Sequence, residues 1–143
     1  MLFRSLLTSC LRILDAAKDP ATPYLLVQFL WRYLDMSGTA PDPDECGRCG
    51  RRREEKEAMT YSRGTLGFLC SGCAGDLSGE ASVPLSPGAL GYLRYSGRVP
   101  VEKACEAVLD GPSLPALKRA VLFLIQDMAG GTLNSIRTGA GIL

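Results

Sequence analysis

The sequence predicts a mainly α protein: a helical domain into which a small β-hairpin bearing four cysteines is inserted. Three observations lead there. Apolar residues recur at helical spacing in several separate stretches, each opened or closed by Pro, Gly or a hydroxyl residue. Strand-like composition is confined to one region, residues 58–69. That region lies between two Cys-x-x-Cys pairs, Cys46–Cys49 and Cys70–Cys73, separated by twenty residues.

In the first stretch, residues 2–17, Phe3, Leu6, Leu7, Cys10, Leu14 and Ala17 fall on one helical face, and Asp19-Pro20 ends the run. Cys10 sits on the apolar face and reads as a small core residue. The chain starts inside this periodicity, without a capping residue, as a fragment or a chain lacking a first domain would begin. Leu7-Thr8-Ser9-Cys10 has the outline of a lipoprotein cleavage box. Too few apolar residues follow Arg4 for a signal peptide, which needs about 7–15.

Thr22-Pro23 opens a second helix running to about Met36, with Gly38 as its stop. Tyr24, Leu25, Leu26, Val27, Phe29, Leu30, Trp31, Tyr33 and Leu34 surround its axis almost completely. A helix of that kind packs centrally; an aromatic platform for nucleic-acid bases is the other reading. Gln28 and Arg32 interrupt this most apolar run, which is too short to span a bilayer. A soluble, cytoplasmic protein without membrane contact is expected.

Pro41-Asp-Pro-Asp44 forms an extended approach to the first cysteine pair. Residues 58–62 and 66–69 read as a hairpin around Arg63-Gly64-Thr65, and residues 75–84 as a polar linker. Ser86-Pro87 starts a helix with Leu90, Leu93 and Tyr95 inward. After Pro100, Val101, Cys105, Val108 and Leu109 share one face, Cys105 again reading as core. Ser113 and Pro115 begin the last strong helix, to about Met128, burying Leu117, Val121, Leu122, Leu124, Ile125 and Met128 before Gly130-Gly131 stops it. Thr132 to Leu143 ends in a frayed, glycine-rich tail.

Two Cys-x-x-Cys pairs at this separation have the spacing of a structural zinc site. The chain contains no histidine, so Cys46, Cys49, Cys70 and Cys73 are the candidate ligands of one Zn²⁺. Four thiolates fill a tetrahedron and leave no open position for catalysis. Gly47, Gly50, Gly72 and Gly75 offer turn freedom around the pairs. Disulfides would require an oxidising compartment, and a redox Cys-x-x-Cys would accompany a βαβ pattern; both rival readings lack their context.

The chain of 143 residues has the apolar and charged fractions of one ordinary domain, 46% and 22%. Its net charge of +1 leaves nucleic-acid binding to a local patch. The most basic stretch surrounds the first cysteine pair. Between residues 44 and 73 six cations face five carboxylates, and a four-thiolate zinc site brings the balance to about −1. The run Arg51-Arg52-Arg53 is either a solvated loop or a contact for phosphates. No nucleotide loop, paired catalytic carboxylates or Ser/His/Asp set is present, and histidine acid–base chemistry is excluded. A thiol enzyme would need a basic neighbour for its cysteine. A non-enzymatic protein is expected.

The ordering resembles the C-terminal part of the bacterial recombination mediator family RecO. The resemblance rests on an early helix near Phe3, then the aromatic helix Phe29-Leu-Trp-Arg-Tyr-Leu-Asp35 and Gly38. It continues through Cys46-Gly-Arg-Cys49-Gly50, Gly67-Phe-Leu-Cys70-Ser-Gly-Cys73 and Leu85-Ser-Pro-Gly-Ala-Leu90. It closes on Gly130-Gly-Thr-Leu-Asn134-Ser135, where Asn134 stands in place of the family's basic residue. The resemblance covers nearly the whole chain. It implies a RecO-like C-terminal helical domain over 1–143, with the family's N-terminal oligonucleotide-binding barrel absent, and an inserted zinc module over 44–75. It also implies DNA repair and homologous recombination, with strand annealing and recombinase loading, at the cytoplasmic nucleoid. The implied partners are DNA, bound weakly without the barrel, a RecR-like protein, and the acidic tail of single-strand-binding protein. An unrelated zinc-ribbon adaptor in transcription or RNA handling is the alternative.

Overall fold

A computed structural model describes residues 4–8, 11–12, 22–75, 77 and 82–128. Residues 4–8 and 11–12 are helical. Leu6 is buried in a small cluster with Leu25 and Val101, but Leu7, expected inward, is exposed. The readings at Phe3, Cys10, Leu14 and Ala17, and those beyond Met128, lie outside the described residues.

Helix α1 spans Thr22–Met36, and the chain leaves it through Gly38 in the left-handed region, φ 74°. Leu25, Val27, Gln28, Trp31 and Leu34 are buried, so the helix is central as its composition implies, although Tyr33 breaks out to solvent. The two polar interruptions form an internal clamp. Gln28 is fully buried, and its Oε1 accepts from Arg32 Nε at 2.9 Å. Arg32 Nη2 donates to the carbonyls of Ser96 and Val99, each at 2.6 Å.

Strands β1 (Met59–Ser62) and β2 (Gly67–Leu69) form the expected hairpin, paired Tyr61 to Phe68. The turn's left-handed residue is Leu66, φ 55°, rather than Gly64. After the short helix α2 (Ser71–Ala74), the presumed linker contributes a third strand, β3 (Ser82–Leu85). It pairs antiparallel with β1, Tyr61 opposite Val83, and gives the order β2-β1-β3. Four residues interrupted by proline carry too little pattern to read as a strand. Pro84 is tolerated because β3 is an edge, with Val83 and Leu85 inward and Pro84 exposed.

Helix α3 (Pro87–Ser96) is capped by Ser86, whose Oγ accepts from Ala89 N at 3.2 Å and lies 2.6 Å from Ser113 Oγ. Ala89, Leu90, Tyr92, Leu93 and Ser96 are buried. Tyr95, expected inward, is exposed; Tyr92 is the buried aromatic, donating its hydroxyl to Ala104 O at 3.0 Å. Helix α4 (Val101–Glu106) ends before the expected periodicity completes, leaving Val108 89% exposed. Helix α5 (Ser113–Met128) buries Leu117, Ala120, Val121 and Leu124; Leu122 and Ile125 are half-buried and Met128 is exposed.

One core joins these parts. Trp31 and Leu34 of α1, Tyr61 and Phe68 of the sheet, Leu90 and Leu93 of α3, and Leu117 and Leu124 of α5 belong to it, together with Cys46 and Cys70. At about 25 cal/mol per Å² of apolar surface, each fully buried large side chain there contributes about 2 kcal/mol. The mainly helical class with a small sheet agrees with the sequence expectation.

Candidate metal centre

Each cysteine pair sits on a turn shaped by backbone hydrogen bonds. In the first, Gly50 N donates to Cys46 O at 2.9 Å and Cys46 N to Arg51 O at 2.9 Å. Gly50 takes φ 73°, a conformation glycine adopts without the Cβ penalty. Of the four flanking glycines it alone is left-handed; Gly75 has φ −61°. Gly47 serves differently. Its N donates to Phe68 O at 2.8 Å, and a Cβ there would meet Thr65 Cγ2 at 3.3 Å. The first turn is thereby laid against strand β2, which leads directly into the second pair.

Cys70 precedes α2, and Ala74 N donates to Cys70 O at 2.8 Å, folding Cys73 back beside Cys70. Arg48 Nη1 donates to Cys73 O at 3.0 Å and ties the two turns together. Nothing in the sequence spacing distinguished Arg48 from its basic neighbours.

The four Sγ atoms lie within 4.8 Å of one another, and Cys49 Sγ is 3.9 Å from Cys70 Sγ. Zn–S bonds of about 2.3 Å in a tetrahedron put sulfurs about 3.8 Å apart. The donor set therefore fits zinc, and the cluster could hold a metal ion. The electrostatics agree. Burial pushes the Cys46 thiol up, but amide donors from Cys49, Cys70 and Arg48 outweigh it and bring the group down to about 6. Backbone donation at Cys73 is the largest effect on Cys70, which is also lowered. The hydrogen bond to Cys70 pushes Cys73 up to about 12. Sulfurs this close cannot all be anionic by themselves, and a dication removes that conflict. With all four coordinated, a bound Zn²⁺ would be structural.

The arginine run is divided among three environments. Arg51 bridges to Glu57, and that contact, followed by one to Cys70, raises its pKa; Glu57 is lowered by the same pairing. Arg52 is the outermost, with its side chain 68% exposed and Asp42 and Glu45 at 3.8 and 3.7 Å. Arg53 is turned inward, 3% exposed, against Asp44 Oδ1 at 2.9 Å and the carbonyls of Glu54, Glu55 and Glu57. Arg63, counted from sequence among the loop cations, instead holds Asp127 of α5 through Nε at 2.9 Å and stacks 4.5 Å from the Phe123 ring centre.

No helix among the described residues is long and apolar enough to cross a membrane. Neither the curated proteins nor the solved structures contain a match to this chain. A family model described as "Recombination protein O C terminal" matches residues 2–137. With the cysteine cluster, the aromatic helix and the glycine-flanked turns all falling inside that span, the chain belongs to the family of the recombination protein O C-terminal region.

Proposed function

We propose that the chain is a non-enzymatic module of DNA repair and recombination, a helical scaffold whose residues 44–75 form a zinc-stabilised insertion that touches DNA. DNA repair and recombination follow from the family. The observation that carries the rest is the four-sulfur cluster, of which Cys46 and Cys70 lie in the same core as the helices. One zinc on Cys46, Cys49, Cys70 and Cys73 would fix the basic turn that follows the first pair. Arg51 and Arg52 then meet phosphate from the surface, while Arg53 holds the loop through Asp44. Acids beside all three cations keep the affinity low and strongly salt-dependent. Strand annealing and recombinase loading, a RecR-like protein and the acidic tail of single-strand-binding protein are the expected settings of this module, at the cytoplasmic nucleoid.

Elemental analysis of reduced protein tests the metal. One zinc per chain is expected, lost in Cys49→Ser, and metal-free folded protein would sink the reading. Anisotropy with labelled single-stranded DNA tests the contact. Arg51→Ala with Arg52→Ala should weaken binding and flatten its salt dependence at unchanged zinc content; unaltered binding removes this loop from the interface.

A further inference from the structure

A groove of about 590 Å³ runs between the 53–56 segment and the outer face of α3. Arg53, Lys56, Arg94 and Arg98 line it against one carboxylate, Glu55. The chain as a whole is nearly neutral, so this is a local concentration of positive charge. Arg53 is occupied by Asp44, and Arg94, half-exposed, reaches the same acid at 3.4 Å. Lys56 and Arg98 are exposed, and neither makes an ion pair among the described residues. A neighbouring cavity of about 450 Å³ shares Arg94 and Arg98 and adds Arg52, but Asp35, Asp42 and Asp44 line it as well, so the excess of positive charge belongs to the first groove.

Two further features are unexplained by folding. Tyr95 lines the groove and is 42% exposed, where an aromatic gains little from the core. Gly91 lies mid-helix, which costs about 0.5–1 kcal/mol relative to alanine. Its φ is not left-handed, and a Cβ there would meet nothing within 4 Å. Neither the backbone conformation nor the space around its Cβ position requires a glycine there.

We propose that this groove seats a single strand of nucleic acid, with Lys56, Arg94 and Arg98 on phosphates, the Tyr95 ring against a base, and Gly91 leaving room for the sugar–phosphate chain. The inference rests on the DNA-contact reading above and gives that contact a second, separate surface. The charge suits a polyanion, and an exposed ring is used by an unstacked base and not by a duplex, whose bases are already stacked. Glu55 is the one carboxylate lining the groove, and so a further handle.

The test is anisotropy of the full, zinc-loaded chain with labelled oligothymidylate at low salt, circular dichroism checking each variant's fold. Tyr95→Leu should weaken binding by about tenfold, the loss of one stacked base. Lys56→Ala with Arg98→Ala should make the slope of log affinity against log salt shallower by about 1.4, two single-strand phosphates. Gly91→Leu, whose Cβ meets nothing within 4 Å, should block the groove, and Glu55→Gln should tighten binding. If these variants bind like the parent while Arg51→Ala with Arg52→Ala loses binding, the groove is overturned and the loop contact stands. A parent that binds no oligothymidylate sinks both. An oligoglutamate peptide that binds at the groove where oligothymidylate does not makes the site a peptide seat and overturns the proposal.

Discussion

Gly50 and Cys105 carry opposite lessons about single residues. At Gly50, φ 73° makes any L side chain costly, so Gly50→Ala should lose about 1–2 kcal/mol of stability in urea unfolding of the metal-loaded protein. Gly72→Ala, at a position with open space and no left-handed backbone, should be close to neutral. Cys105 is half-buried, and burial raises its pKa, leaving little thiolate at neutral pH. It should be alkylated much more slowly in native, zinc-loaded protein than after denaturation; mass spectrometry of the labelled peptide would show the difference, and fast native labelling would overturn its reading as a packing residue. Spacing sufficed to nominate the four sulfurs, because a chelating turn is a local object. It could not separate Arg51, Arg52 and Arg53, since their acids arrive from residues 42–45 and 57, positioned by folding.

Arg63 and Asp127 join the sheet to α5 across a sequence distance that no local pattern encodes. Both side chains are mostly buried, so Asp127→Ala should cost about 1–3 kcal/mol. In a double-mutant cycle with Arg63→Ala the losses should fall well short of additive; full additivity would mean the pair does not couple hairpin and helix. The helices α1, α3 and α5 were legible because their caps and breakers are strong: Gly38, Ser86-Pro87 and Ser113-Pro115. Strand β3 was not, since its four residues acquire a strand's identity only by lying beside β1. Tyr95 and Val108 were misassigned because their helical faces were extended by periodicity alone. Packing on α3 selected Tyr92, and α4 ended at Glu106.

At the scale of the whole molecule, the sulfur cluster and the helices share one core, with Trp31 of α1 6.4 Å from Phe68 just ahead of Cys70. Chelation should therefore shift the emission of this single tryptophan and lower helical circular dichroism in one common transition. Two separate transitions would show that the insertion melts by itself. The ends of the sheet have a further consequence. On β2 the Phe68 carbonyl is taken by Gly47, and on β3 the exposed Pro84 has no amide hydrogen to offer. A bare strand margin invites another extended segment to add itself, in recognition and in aggregation alike. Both margins here are blunted. Strand addition at either margin is thereby disfavoured, which leaves side chains as the main means of gripping a partner.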